Sequence, residues 1–416
     1  MLKLISFEIR KILRSSYSYI ILGFLLLFLI GFFIYSHIQT TYVNDRVEQL
    51  EAVIDAQKSF VLKEFEQALV EDPSLKENSS FMRDYEGALN SIKNFEREAE
   101  AVKEADWTYL YDKELEFHED AYNLVADPYN PYPNYTRWPS DFLTKYHYHE
   151  TLWLKERNIE PILPIGIHSK KSIYDLVFDD SGLEETVEKY SNQYSTTSIF
   201  FTYKLFSIVL SIIGVAFFLF LFGDIVTKEE LRAYGPINFL YTQPVSRGKI
   251  FISKFLTLFI VTFIIFIIVF LLSILLGGIF NGIGHWDYPV LVYQPERDFI
   301  IIPMISFIGK ALLLFLGILM FAYSLLLLFS LITKRTVLAL GFTLGVIILG
   351  VTFSGEPTST ISAFNPFQYF DVYDIISLET AAIHENFNLN WTNGMISLVA
   401  GSILLLLGTY SLSKVQ

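Results

Sequence analysis

The sequence predicts an all-α polytopic membrane protein with six transmembrane helices, an N-terminal amphipathic elbow helix and a mostly helical extracellular domain. Of its 416 residues, 52% are hydrophobic and 18% are charged, whereas soluble domains carry about 25% charge. The apolar residues fall in blocks of roughly 18 to 26 residues, and about 20 such residues in a helix cross a hydrocarbon core of about 30 Å. Most charged residues lie in one long stretch after the first block.

The first 35 residues predict an interfacial elbow helix over 1–16 and a first span over 17–35. Leu4, Ile5, Ile9, Ile12 and Leu13 form one helical stripe among basic residues, which is typical of a helix lying in the membrane interface. The basic start and apolar run also resemble a signal peptide. The run is longer than a typical signal core and no small-x-small cleavage site follows it, which favours an uncleaved anchor.

Residues 36–198 contain no apolar block and carry the acidity of the chain. This stretch has 32 Asp and Glu against 16 Lys and Arg, a balance of −16, whereas the remainder has a balance of +3. Apolar residues recur at helical spacing over 41–70 and 81–125, which predicts two long antiparallel helices. Four prolines within 128–139 exclude regular structure there, and shorter helices are expected at 140–158 and 183–195. The negative charge argues against a nucleic-acid partner.

Five further spans are predicted, and their flanking charges set the orientation. Short loops rich in Lys and Arg face the cytoplasm; these are the N-terminus and loops 223–254 and 332–336, whereas 277–302 has one such residue and 354–394 has none. Both termini are therefore expected in the cytoplasm, and 36–198 outside a cell membrane. The absence of cysteine from this outer domain suits a bacterial cell surface. The further spans are 199–222, 255–276, 303–331, 337–353 and 395–412.

The chain lacks the common motifs of enzymes. There is no G-x-x-x-x-G-K-[ST], G-x-S-x-G or H-E-x-x-H pattern, so no catalytic residues, cofactor or ATP site are predicted. The segment with His147, His149 and Glu150 is the nearest approach to a metal cluster. Residues two apart point away from each other on a helix, so a charged helix end is favoured over a metal site, and none is predicted; His118, Glu119 and Asp120 are weaker candidates.

Two features within the spans have alternative interpretations. Lys204 and Lys310 lie within about two turns of the outer ends of their spans, where a lysine reaches the interface more often than it lines a transport path. No acidic residue lies in the middle of a span, which argues against proton or sodium coupling there. Gly341 and Gly345 form a G-x-x-x-G pattern typical of close helix packing, within the chain or against a second chain.

The loop 223–254 carries the most informative pattern. Glu229 and Glu230 follow the second span, Gly235 and Pro236 predict a turn, and a short apolar helix ends before Pro244. Ser246 is placed to cap the helix that continues into the third span. A short helix held between two spans can transmit force from a cytoplasmic partner to both. The alternative is an ordinary solvated loop whose charges flank the membrane.

This pattern resembles the coupling loop of type-2 ATP-binding cassette exporter permeases. In that family an acidic pair, a glycine turn, an apolar stretch, a proline, Ser-Arg and a lysine occur in this order, although the turn is commonly Gly-Thr where this chain has Gly235-Pro236. The segment FEIRKILRSSYSYI resembles the elbow helix of such permeases, and Asn365-Pro366-Phe367 resembles their outer re-entrant segment between the fifth and sixth spans. Domain 36–198 resembles insertions in relatives from Gram-positive bacteria. The matching loop residues are Glu229, Glu230, Gly235, Phe239, Leu240, Pro244, Ser246, Arg247 and Lys254.

The resemblance implies the membrane subunit of an ATP-driven exporter that has no ATPase site of its own. Its expected partners are a cytoplasmic ATP-binding cassette ATPase, a second permease copy or sister permease, and membrane lipid. Spans rich in Phe, Leu and Ile favour an amphipathic substrate, such as a lipid, a drug or a cationic antimicrobial peptide. A sensor or scaffold with an acidic ligand-binding domain is the alternative, although it has no need of a coupling helix; a membrane enzyme using outer carboxylates is a third class.

Overall fold

The structure is a computed structural model that describes residues 2–40, 45–127, 129–192, 194–223 and 247–415. The chain divides into two compact units. One unit comprises residues 1–36 and 196–416, and the other comprises residues 37–195. The first unit begins with α1 (Leu2–Leu13), which lies within the residues predicted as the elbow, and α2 (Ser16–Ile38), which contains the residues predicted as the first span.

The second unit is helical. The second predicted long helix is two helices, because Ala105 adopts a left-handed φ of 55° and Asp106 then caps a new helix through the Tyr109 N–H. The proline-rich stretch has neither helix nor strand among its described residues. The helices are α3 (Asp45–Ala56), a π-helical turn (Gln57–Leu62), α4 (Lys63–Glu71), α5 (Ser79–Lys103), α6 (Trp107–Ala126), α7 (Asp141–Glu156) and α8 (Ser181–Ser191).

The remaining helices of the first unit include four that are long and apolar enough to cross a membrane. With α2 they make five candidate spans, or six if a bent pair counts as one, which confirms the predicted fold class. The elements are α9 (Ser198–Val209), α10 (Ile212–Phe222), α11 (Arg247–Asn281), β1 (Pro289–Gln294), β2 (Asp298–Pro303), α12 (Met304–Thr333), α13 (Thr336–Phe353), α14 (Val372–Ile376), α15 (Glu379–Ile383) and α16 (Trp391–Val415).

Helix α12 is the centre of the first unit. Most of its apolar side chains are buried, and the hydroxyl of its Tyr323 lies 2.7 Å from the Thr262 hydroxyl of α11. By contrast, one face of α11 exposes large apolar residues, including Phe263, Ile267 and Leu271. An apolar surface of this extent is what a helix presents to lipid.

The predicted outer loop 277–302 is more structured than expected. Helix α11 continues to Asn281, and β1 and β2 then pair as an antiparallel hairpin with Tyr293 opposite Phe299. The alternating β-branched and aromatic residues of these strands favour extended structure. This hairpin is the one multi-residue sheet within the described part of the chain.

Candidate functional site

The coupling residues predicted from the sequence fall largely outside the described ranges. Glu229, Glu230, Gly235, Phe239, Leu240 and Pro244 all lie in the gap from 224 to 246. Arg247 is the first residue of α11. The structure does describe both attachment points of this loop, where α10 ends and α11 begins.

Two glycines at these attachment points allow neighbouring spans to approach closely. A Cβ added at Gly223, after α10, would lie 2.6 Å from a methyl carbon of Leu340 in α13. At Gly248, near the start of α11, it would lie 3.2 Å from the ring of Tyr410 in α16. The Tyr17 hydroxyl of α2 donates a 3.2 Å hydrogen bond to the Phe220 carbonyl at the end of α10. The two ends of the loop therefore join a packed group of span ends.

The elbow helix is joined to the third span by a buried ion pair. Lys254 Nζ lies 2.7 Å from Glu8 Oε1, and the two residues are 0% and 2% exposed. The second Glu8 oxygen, Oε2, has no hydrogen-bond partner, and Lys11 Nζ lies 3.7 Å from it. Buried charges of this kind are costly unless paired, so the pair fixes α1 to the first turns of α11.

Sequence reasoning missed Glu8, although a signal was available. It is the only acidic residue among the first 44, and it falls three residues after Ile5 and four before Ile12, on the apolar stripe of α1. An acidic side chain on the apolar face of a basic helix needs a cationic partner. The partner is Lys254, which sequence reasoning had assigned to the coupling pattern.

The second predicted span is bent. Helices α9 and α10 meet at 70° across Leu210 and Ser211, whereas the sequence predicted one continuous helix. The Ser211 hydroxyl accepts from the Ile213 N–H and donates to the Ile208 carbonyl, so it satisfies backbone groups freed by the break. A Cβ at Gly214 would lie 1.8 Å from the Val209 carbonyl oxygen, so this bend requires glycine there.

The two intramembrane lysines have different surroundings. Lys204 lies on α9 and is partly buried, with its ammonium 5.7 Å from the centre of the Phe200 ring. Lys310 lies on α12 and is exposed, while its carbonyl accepts a hydrogen bond from the Trp391 indole. A partly buried cation over an aromatic ring gains a cation–π contact, so Lys204 is the better placed of the two to face the interior of the unit.

The segment after the fifth span is anchored by the motif that suggested the family. The Asn365 side chain accepts from the Phe367 N–H, and the Gln368 amide donates to the Ser354 and Gly355 carbonyls. A Cβ at Gly350 would lie 2.4 Å from the Phe367 ring, so α13 and this segment are in tight contact.

Three carboxyl groups follow in this segment. The pKa of Asp374 is raised to about 7, first by burial and then by the charges of Asp371 and Glu379. Burial and the Asp371 charge also raise the pKa of Glu379. The Tyr373 hydroxyl on α14 donates to the Tyr203 carbonyl of α9 at 2.6 Å, which ties this segment to the bent span.

The predicted packing glycines Gly341 and Gly345 have no close neighbour. A Cβ added at either position would meet no heavy atom within 4 Å. The close helix approach predicted from their spacing is therefore not made with any described part of this chain. Contact with a second chain stays a prediction.

The comparisons with known proteins identify the family. The family model described as "ABC-2 family transporter protein" matches residues 2–416. The chain belongs to this family. Searches of curated proteins and of solved structures found no match. As an ABC-2 family member, the protein is a multi-pass membrane permease component of an ATP-binding cassette transporter.

Proposed function

We propose that this ABC-2 permease is the membrane subunit of an exporter, driven by separate ATPase subunits that bind the loop 223–254 from the cytoplasm. The observation that carries the proposal is the buried Glu8–Lys254 pair, which joins the elbow helix to the start of α11 at the C-terminal end of that loop. Displacement of the loop then moves α1 and the start of α11 as one body. Without this ion pair, a displacement of the loop would not be transmitted to α1.

The proposed roles of the loop residues follow from their charge and position. Glu229, Glu230 and Arg247 form charged contacts with the ATPase or clamp the loop to the first helix. The apolar pair Phe239 and Leu240 forms the contact surface of the short helix predicted from the sequence between Gly235 and Pro244. ATP is bound and hydrolysed by the partner, since this chain has no phosphate-binding motif of its own.

The proposed substrate is amphipathic and cationic, for example an antimicrobial peptide. The spans offer mainly Phe, Leu and Ile, which suit a lateral path for an amphipathic molecule better than an aqueous pore. Domain 36–198, with its balance of −16, attracts cations, although salt screens this attraction over about 8 Å at physiological ionic strength.

The ATPase partner is tested by purifying the protein in mild detergent from its native cells and assaying ATP hydrolysis in the material that accompanies it. An ATPase in about equal amount is expected, and Glu229→Lys with Glu230→Lys should release it. The matched control reverses Glu184 and Glu185, an exposed acidic pair on α8, and should retain the ATPase. If both variants retain the ATPase, Glu229 and Glu230 do not contribute to its binding.

A sensor or scaffold is the competing function, because the acidic helical unit offers a surface for a ligand without any transport. It gains support if no ATPase accompanies the folded protein. The substrate class is tested separately by titrating the full-length protein with cationic peptides at low and physiological salt. Binding that weakens with salt supports a cationic peptide as the substrate. Equal binding at both salt concentrations, or no binding at either, contradicts it.

A further inference from the structure

Two helices of the 37–195 unit bring together three side chains that can bind a metal ion. Glu114 and His118 are four residues apart on α6 and therefore share one face, and His147 lies on α7, which packs against it. Glu114 Oε1 is 2.8 Å from His147 Nε2 and 3.2 Å from His118 Nε2. The three ligand atoms all lie within 4.8 Å of one another.

These separations are close to those of a zinc site. Zinc binds nitrogen and oxygen at about 2.0–2.1 Å, so two ligands of a tetrahedral ion are about 3.3 Å apart. Both distances from Glu114 are already near this value. The separation of the two histidine nitrogens, at most 4.8 Å, is the one that must shorten. His118, which is 13% exposed against 1% for His147, is the less deeply buried of the two and the better placed to move.

The donor types of Glu114, His118 and His147 also suit zinc. Two imidazoles and one carboxylate are the protein ligands of open zinc sites, in which a water or another ligand occupies the fourth position.

Lys170 determines which histidine tautomer the ion encounters. Its ammonium lies 2.9 Å from His147 Nδ1 and pairs with Glu150. Since the ammonium donates to Nδ1, the proton of neutral His147 lies on Nε2 and points to Glu114. Zinc would bind Nε2 once this proton had moved to Nδ1 and Lys170 had turned to Glu150, with no net release of a proton from His147.

We propose that Glu114, His118 and His147 form a zinc-binding site in the helical unit, separate from the coupling region. The site differs from the cluster that the sequence brought forward. His149 lies on another face of α7, beside the Tyr122 hydroxyl at 3.3 Å, and Glu150 pairs with Lys170. The ligands Glu114 and His118 come from α6, where their four-residue spacing is the signal that could have identified them.

The test uses the full-length protein in detergent, freed of metal with a chelator and titrated with Zn²⁺ against a chromophoric competitor. One ion per chain is expected. His118→Gln removes a direct ligand and should weaken binding by more than the roughly 10- to 100-fold that loss of a second-shell partner costs. His149→Gln is the matched control, because it removes a histidine two residues from His147 that lies outside the cluster, and it should bind as the unaltered protein does.

Absence of stoichiometric zinc binding by the unaltered protein would overturn the proposal, as would equal affinities of the two variants. A second measurement needs no variant. Diethyl pyrocarbonate modifies accessible histidines, and mass spectrometry locates the modified residues. Zinc should protect His118 and leave the reactivity of His149 unchanged. Equal effects of zinc on both histidines would also overturn the proposal.

Discussion

Glu8 and Lys254 illustrate how a buried ion pair positions an element and makes both residues sensitive to change. Lys254→Met keeps most of the length of the side chain but leaves the Glu8 carboxylate buried, with Lys11 Nζ 3.7 Å away. Removing one partner of a buried pair typically costs about 3–5 kcal/mol. We expect the variant to unfold at a clearly lower temperature in detergent, as measured by loss of the monodisperse peak after heating.

The double variant Glu8→Gln with Lys254→Met is the control for this prediction. It removes both charges together, and replacing a whole buried pair is often nearly neutral for stability. The double variant should therefore be more stable than Lys254→Met alone, while ATPase coupling should remain impaired because the anchor is missing. If the two variants unfold at the same temperature, the pair does not contribute to stability as a unit.

Asp374 gives the molecule a pH-dependent stability. Its pKa is about 7 when folded, against 3.8 for the free side chain, so between about pH 4 and 7 the folded chain keeps a proton that the unfolded chain releases. The stabilisation is full below about pH 4 and is lost as pH rises through 7. Asp374→Asn should raise the unfolding temperature at pH 8 and change it little at pH 4. Glu356→Gln, at an exposed carboxyl, is the control and should show the same effect at both pH values.

At the scale of the element, the bend between α9 and α10 depends on Gly214. Because a Cβ there would lie 1.8 Å from the Val209 carbonyl oxygen, Gly214→Ala forces the backbone to move, and overpacking of this kind costs about 1–3 kcal/mol. We expect a lower unfolding temperature for Gly214→Ala. Gly309→Ala is the matched control, since Gly309 lies on α12 with no neighbour within 4 Å, and its unfolding temperature should be unchanged or higher. If Gly214→Ala leaves the unfolding temperature unchanged, the bend does not depend on glycine at this position.

The same elements show how far sequence reasoning extends. The apolar blocks predicted the regions of the spans, because the length and composition of a membrane helix are local properties. The break at Leu210 and Ser211 was missed, since neither proline nor charge occurs at residues 209–214. The β-hairpin was missed because residues 277–302 have few charges and only short apolar runs, so their apolar residues show neither a clear helical nor a clear strand periodicity.

At the scale of the whole molecule, the missing information is which distant residues meet. Lys254 is 246 positions from Glu8, and His147 is 33 positions from Glu114. Each residue was visible as a charge or a candidate ligand, but its partner depends on how helices pack. The resemblance to the family was visible because the residues of the coupling pattern all lie within one short stretch, 229–254, so their order can be read directly from the sequence.

The predicted association of two permease chains can be tested directly on α13. Gly341 and Gly345 have no neighbour within 4 Å, whereas Gly350, on the same helix, lies against Phe367. A surface of small residues in lipid is suited to close contact with a second helix. Gly341→Leu should therefore weaken association between differently labelled chains, measured by energy transfer in nanodiscs, without lowering the unfolding temperature of the single chain.

Gly350→Leu provides the matched contrast, because it introduces the same side chain into the same helix but at a contact inside the chain. It should lower the unfolding temperature, since the added atoms meet the Phe367 ring. The two variants thus separate packing within the chain from packing between chains. If Gly341→Leu leaves energy transfer unchanged, this face of α13 contacts lipid and the second chain binds elsewhere; if it destabilises the single chain as much as Gly350→Leu does, the glycine face serves the fold itself.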